Sequence, residues 1–291
     1  MNSLRKIAID SLIRPKRHQY DESSLKHTYN LDYYGIVERI PIEFRNKRNQ
    51  KIIGSLYKTQ KYARGHPCII YLHGNSASQL EGRFLVQLFV PVGISVFCFD
   101  FSGSGDSDGE YVSLGFHEKD DLSAAIEFLR TNYKIHKIAL WGRSMGAATA
   151  IFGLAEHPEI SAAVLDSPFA VLKDVIFSIA SHYHVGLFLT DSTMEAMDKA
   201  ANELAHFHID DVNPIDHITD CYSPVFIIHA SQDYTIPMEQ SKHIFDEYKT
   251  DLKVYRIIDG DHYSKRPPEV LKEATKFVCE TLGLTISFDE N

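Results

Sequence analysis

The stretch that most constrains this chain is Ile138-Ala139-Leu140-Trp141-Gly142-Arg143-Ser144-Met145-Gly146-Ala147-Ala148. An apolar run enters a Gly-x-Ser-x-Gly turn and leaves it through small, helix-favouring residues, giving strand, sharp turn and helix in that order. A serine on such a turn must tolerate backbone angles that side chains rarely adopt. Gly142 and Gly146 lack a Cβ, which lets strand and helix approach closely around it. The helix N-terminus then aims free N–H groups at the serine, where negative charge is stabilised. The same five-residue pattern also arises by chance, so the rest of the chain has to supply partners for Ser144.

The chain around this turn alternates between two kinds of segment. Residues 67–72, 94–99, 162–166 and 225–229 are continuous apolar runs, as expected of strands buried on both faces of a parallel sheet. Helical patterns follow them at 80–90, 118–132, 238–248 and from Pro267-Pro268 onward, with a further strand at 252–258. Leu122, Ala125, Ile126 and Leu129 show the helical spacing most clearly. Ahead of them, Ile36, Glu38, Ile40, Ile42 and Phe44 alternate, and a polar turn at 45–50 leads to a second strand at 51–57, an antiparallel hairpin. This order predicts an α/β fold with a mostly parallel central sheet covered by helices on both faces. Residues 169–222 break the rhythm with two helical patterns, 172–182 and 192–207, where one would suffice. The expected organisation is a basic lead-in over 1–30 and one domain over 31–291 that carries a small helical lid at 169–222.

Composition limits the partners. The chain has 291 residues, 44% apolar and 24% charged, with a net charge of −9, which excludes a nucleic-acid backbone as a natural partner. The four cysteines, Cys68, Cys98, Cys221 and Cys279, are far apart and form no CxxC pair, the pattern of reduced thiols in a cytoplasmic protein. No apolar run is long enough to span a bilayer, because Gln87, Pro91 and Gly93 interrupt the greasiest region. Residues 1–17 place Arg5, Lys6, Arg14, Lys16 and Arg17 among Leu4, Ile7, Ile9, Leu12 and Ile13. Asn2 excludes myristoylation. Two uses remain for this amphipathic segment: docking on the protein's own body, which is the expectation, or peripheral contact with anionic lipid. The oligomeric state is not readable.

In an open parallel sheet, reacting groups gather at the carboxyl ends of the strands. Those ends carry His73-Gly74-Asn75, Asp100, Ser144, Asp166, the stretch from His229 to Asp233, and Gly260-Asp261-His262. A serine needs a base, and the base needs an orienting acid. Ser144, Asp233 and His262 supply all three in the order Ser…Asp…His, each in a loop after an expected strand. Asp166 also ends a strand and is the competing acid. Asp261 adjoins His262 but is badly placed to bond its ring, and Asp106 and Asp108 suit turn caps. Gly103 and Gly105 invite comparison with a dinucleotide fingerprint, but the third glycine is missing, with Asp108 in its place. His182/His184 and His206/His208 diverge at i, i+2 on a helix and complete no metal set.

With these residues in view, the chain resembles the α/β-hydrolase superfamily over roughly residues 34–283. The matching stretches are His73-Gly74-Asn75, Gly103-Ser104-Gly105-Asp106-Ser107, Gly142-Arg143-Ser144-Met145-Gly146, Ser231-Gln232-Asp233 with Ile236-Pro237, and Gly260-Asp261-His262. Within it, the chain looks most like the serine-hydrolase branch holding serine-aminopeptidase-like, monoacylglycerol-lipase-like and protein-depalmitoylating members. The resemblance implies Ser144 as nucleophile, His262 as base and then acid, Asp233 as orienting carboxylate, and an oxyanion hole from the backbone N–H groups of Asn75 and Met145. His73 and Gly74 would shape the oxyanion loop, and His229 would be a satisfied buried histidine. Many relatives have His-Gly where this chain has His229-Ala230, which questions a tight turn before the acid.

The expectation is therefore a serine hydrolase that cleaves a carboxylic ester or thioester of a small-molecule or acylated substrate, through an acyl-enzyme on Ser144 and with no metal or cofactor. Val175, Ile176, Phe177, Ile179, Val185, Leu187, Phe188 and Leu189 of the lid either line an acyl pocket or pack the lid on the sheet. A peptidase is the enzymatic alternative, and would hold a substrate amino terminus with Glu195, Asp198 or Glu203. A non-catalytic scaffold or receptor is the third reading, although it has no need of all three residues.

Overall fold

The computed structural model describes residues 9–32, 34–58, 65–184, 186 and 189–284. Leu4, Arg5, Lys6 and Ile7 of the basic segment, and Val185, Leu187 and Phe188 of the lid, lie outside them. Among the described residues the strands are β1 (Thr28–Leu31), β2 (Gly35–Arg45), β3 (Lys51–Lys58), β4 (Cys68–Leu72), β5 (Ser95–Phe99), β6 (Ile138–Arg143), β7 (Ala162–Asp166), β8 (Val225–Ala230) and β9 (Lys253–Ile258). They form one sheet in the order β1-β2-β3-β5-β4-β6-β7-β8-β9. The first three strands and the β3–β5 pair run antiparallel, and every pair from β5 through β9 is parallel.

Burial follows the expected distinction. Every residue of β4, β5, β7 and β8 is buried, whereas β2 alternates between buried and exposed positions. Helices α1 (Phe84–Phe89) and α7 (Pro268–Thr281) cover one face. Helices α2 (Glu118–Phe128), α3 (Met145–Glu156) and α6 (Met238–Glu247) cover the other. This is the α/β-hydrolase architecture, with a mostly parallel sheet and helices on both faces. Neighbouring side chains in one strand serve opposite cores: Ile70 packs with Phe97 and Leu140 on one side, and Ile69 packs with Val96 and Trp141 on the other.

Three details differ from the sequence expectation. The helix expected over 80–90 is split into a 3₁₀ segment, Gln79–Arg83, and α1. The helix expected to reach residue 132 ends at Phe128 and continues as a π-helical turn, Leu129–Tyr133, closed by Lys134 in a left-handed conformation. The boundary expected at residue 30 falls inside β1, a four-residue edge strand in which Tyr29 and Leu31 are half-buried on the core and Thr28 and Asn30 are exposed. The lid expected at 169–222 corresponds to helices α4 (Leu172–His182) and α5 (Asp191–Ala205), inserted between β7 and β8.

The segment before β1 is packed on the body. Residues 9–13 are helical, and Ile9 and Ile13, spaced i and i+4, are buried in the same core as α3. The Ile13 carbonyl accepts from Val112 N–H at 2.8 Å, and Arg14 pairs with Glu110 at 2.8 Å. The Arg17 guanidinium donates to the carbonyls of Gly105, Ser107 and Gly109. Ile13 is fully buried, so Ile13→Ala is expected to lower unfolding free energy by about 2–4 kcal/mol in urea titration. An unchanged midpoint would show this segment to be peripheral.

Candidate active site

The turn after β6 is built on close backbone contact. A Cβ on Gly146 would stand 1.9 Å from the Leu72 carbonyl oxygen at the end of β4, and one on Gly142 would stand 2.2 Å from the Gly146 carbonyl oxygen. Only glycine lets the first turn of α3 cross β4 and β6 at this distance. Ser144, between them, has φ 54° and ψ −118°, a left-handed conformation that L-residues with side chains avoid. Its N–H donates to the Asp166 carbonyl at 2.8 Å, and its own carbonyl accepts from Ala147 and Ala148, so the strained residue is fixed from both sides.

The structure brings Ser144, His262 and Asp233 together. His262 Nε2 lies 3.2 Å from Ser144 Oγ, and His262 Nδ1 lies 2.6 Å from Asp233 Oδ2. An ionised carboxylate only accepts, so the ring proton is on Nδ1 and Nε2 is left to accept the serine hydroxyl proton. Asp233 Oδ1 also accepts from the N–H groups of Thr235 and Ile236 at 3.0 and 2.8 Å. Burial pushes this carboxyl upward, but the His262 bond and charge and the Ile236 N–H outweigh it and hold it below the usual carboxylate value.

Asp166, the competing acid, is occupied elsewhere. Arg266 Nε and Nη2 donate to both of its oxygens at 2.6–2.9 Å, a bidentate pair, while Arg266 Nη1 donates to the Ser264 carbonyl. Asp261 is exposed and braces its own loop through Ser264 Oγ and Tyr263 N–H. The Asp108 carboxylate accepts from Lys51 N–H, tying the glycine-rich turn to β3. His73 is fully buried: its Nδ1 donates to the Gly74 carbonyl at 2.8 Å and its Nε2 accepts from Phe101 N–H at 3.1 Å. Gly74 sits against the serine, with the position of its missing Cβ 3.8 Å from Ser144 Cβ.

His229 is buried but only half satisfied. Its Nε2 donates to the Ile236 carbonyl at 2.9 Å, its Nδ1 has no hydrogen-bond partner among the described residues, and burial pulls its pKa down. It stands 3.6 Å behind Asp233 Oδ2. Of the other histidine pairs, His182 stacks on Tyr234 and His208 bonds Asp198.

The sequence reading misses a polar clamp around the site. Glu81 accepts from Gly74 N–H at 2.9 Å and pairs with Arg143 at 3.3 Å. Arg143 in turn donates to the His262 carbonyl at 2.8 Å. One glutamate and one arginine thus join the loop after β4, the serine turn and the histidine loop. Arg143 lies within the serine motif and so is visible in the sequence, but its partners are not.

Ser144, His262, Asn75 and Met145 border one cavity of about 400 Å³. Its other wall is apolar and includes Leu114, Phe169, Leu172, Val175, Ile176 and Ile179. The lid residues therefore divide: Val175, Ile176 and Ile179 face the cavity, Leu189 packs on the core, and Phe177 is exposed. In the first turn of α3 the N–H groups of Ala147 and Ala148 are taken by the Ser144 carbonyl, and the Met145 N–H, at the first helical position, precedes any residue with an intrahelical acceptor to offer it. All four cysteines are buried and free. Among the described residues no cluster of three or more His, Cys, Asp or Glu suits a metal ion. Within the same residues, no helix is long and apolar enough to cross a membrane.

Two outcomes follow from this geometry. Gly146→Ala is expected to destabilise the fold by about 3 kcal/mol or more, because the obstacle is backbone and cannot rotate away. Equilibrium unfolding checks this. The Asp233 carboxyl has a lower pKa folded than unfolded. It therefore contributes stability that is complete above about pH 4 and fades as pH falls through the folded value. Asp233→Asn should flatten the loss of stability below about pH 4, measured by thermal melts across an acid pH series.

Comparison with known proteins agrees with this architecture. The family model described as serine aminopeptidase, S33 (Hydrolase_4) matches residues 65–218, just over half of the chain. The Bacillus subtilis (strain 168) protein YqkD is 26% identical over 218 residues, covering 72% of this chain and 70% of that protein. The lysophosphatidylserine lipase ABHD12 of Danio rerio is 27% identical over 202 residues, covering 64% of this chain but only 48% of the lipase. Among solved structures, the Pyrococcus furiosus esterase Pf2001 superposes with a TM-score of 0.66 at 25% identity, over 84% of this chain and 91% of the esterase. The chain belongs to the serine aminopeptidase S33 (Hydrolase_4) family of α/β hydrolases.

Proposed function

We propose that this protein is a serine hydrolase that cleaves carboxylic esters or thioesters through an acyl-enzyme on Ser144. The observation that carries the reading is the relay of Ser144 Oγ, His262 and Asp233, with contacts of 3.2 and 2.6 Å, opening on a cavity with an apolar wall. The esterase and lipase names among the similar proteins point the same way.

In this reading His262 Nε2 takes the hydroxyl proton as Ser144 Oγ bonds to the substrate carbonyl carbon. Asp233 orients the ring and stabilises the imidazolium. Charge moves to the carbonyl oxygen, where the N–H groups of Asn75 and Met145 receive it; each donor of this kind is worth about 3 kcal/mol in the transition state. The tetrahedral intermediate collapses, the alcohol or thiol leaves with the proton from His262, and the acyl group remains on Ser144. Water, deprotonated by the same Nε2, attacks the acyl-enzyme and releases the acid while Ser144 recovers its proton.

The peptidase alternative lacks its expected anchor. Glu195, Asp198 and Glu203 do not border the cavity among the described residues. Asp198 accepts from Ile209 N–H and bonds His208, and Glu203 lies near Lys199. The family name therefore does not by itself favour an aminopeptidase.

A fluorophosphonate probe is expected to label the wild type and not Ser144→Ala. In a panel of p-nitrophenyl esters, acyl-thioesters and aminoacyl-anilides, the esters or thioesters should turn over fastest. Ser144→Ala should lower kcat by roughly 10⁴-fold or more. Absence of serine-dependent labelling would leave the scaffold reading, and preference for the anilides would replace esterase with peptidase.

A further inference from the structure

We infer that the N-terminal segment forms a wall of the acyl pocket and that Leu12 is a specificity-determining residue which sets how long an acyl chain Ser144 accepts. This rests on the ester reading above and concerns the substrate class, straight-chain acyl esters or thioesters.

The cavity that holds Ser144 and His262 is bordered by Ser11 and Leu12, more than 130 positions away in sequence, as well as by the lid. Leu12 lies in the helical turn at residues 9–13, three residues after Ile9 and beside Ile13. That spacing gives one apolar stripe. Ile9 and Ile13 are buried in the core and fix the turn, while Leu12 is only partly buried, packs against the same core and borders the open space. Leu172, Val175 and Ile176 of helix α4 line the same cavity. An acyl chain leaving Ser144 along the apolar wall therefore runs between a lid helix and a turn from the start of the chain.

The wall is held rather than loosely laid on. The Ile13 carbonyl bonds Val112 N–H, Arg14 pairs with Glu110, and Arg17 is bound to three carbonyls of the 105–109 turn. Tyr20 donates to the buried Asp100 carboxylate and accepts from Gln79 Nε2. Burial followed by the nearby Asp100 charge drives the Tyr20 phenol pKa upward, so this anchor keeps its donor. A side chain borne on so many fixed points defines a pocket dimension, and a pocket discriminates chain length through such dimensions.

The test uses Leu12→Trp and Leu12→Ala in the full chain with p-nitrophenyl acetate, butyrate, octanoate and decanoate. Leu12→Trp should lower kcat/KM for decanoate about ten-fold or more relative to acetate, the scale of a misfitted methylene or two. Leu12→Ala should move the optimum toward longer chains. A second readout, binding of dansyl-undecanoate followed by fluorescence, is made in wild-type and Ser144→Ala backgrounds. Leu12→Trp should weaken it about ten-fold in both. If no ester is cleaved but probe binding still depends on Leu12, the ester reading falls and the wall stands. If the variants scale all esters equally, or leave both the chain-length profile and probe binding unchanged, the wall is overturned. Should Leu12→Trp fail to fold, the direction of the shift in Leu12→Ala decides alone.

Discussion

The structure depends on one close approach, the first turn of α3 lying directly on the backbone of β4 and β6. Two missing Cβ atoms make it possible, at Gly142 and Gly146. The approach has two effects at once. It forces Ser144 into a left-handed conformation that presents its side chain above the sheet, and it brings the helix N-terminus to the end of β4, where Gly74 and Asn75 begin the facing loop. The serine turn and the end of β4 are thus brought together by a single packing event.

What must be positioned independently is the histidine, because its loop follows the edge strand β9, and charge does this. Arg143 holds the His262 carbonyl, and Arg266 holds the Ser264 carbonyl while clasping Asp166. The Asp166–Arg266 pair is almost wholly removed from solvent, so its value lies in direction more than in net energy; removing either partner alone would strand a charge. Glu81 extends the same arrangement to Gly74. The loops around Ser144 are therefore coupled by ion pairs, of which Glu81–Arg143 also borders the cavity.

The sequence makes some of this legible and hides the rest for physical reasons. Strands β4, β5, β7 and β8 can be read because burial on both faces leaves no polar alternation. The meeting of Ser144, Asp233 and His262 can be read because each lies in a loop just after a strand of the parallel part of the sheet, at its carboxyl end. Strand β1 cannot, since its alternation of exposed Thr28 and Asn30 with half-buried Tyr29 and Leu31 spans only four residues. Asp166 is a competitor to the favoured Asp233 in the sequence because Arg266, which occupies Asp166, lies 100 residues away. Glu81 is hidden in the same way, an ordinary surface charge until the fold sets it beside Arg143.

The order of these pieces along the chain matters for how the protein comes into being. Ser144 and His262 are 118 residues apart, and β9, which precedes the histidine loop, comes after β6 and its serine turn in the chain. Ile13 and Arg17 are made about 100 residues before the Val112 and Gly109 that they bond. During N-to-C synthesis the serine turn can therefore be complete while His262 is still missing. A nascent chain in that state carries Ser144 without its imidazole neighbour, and the contact between the two forms only once β9 has joined the sheet.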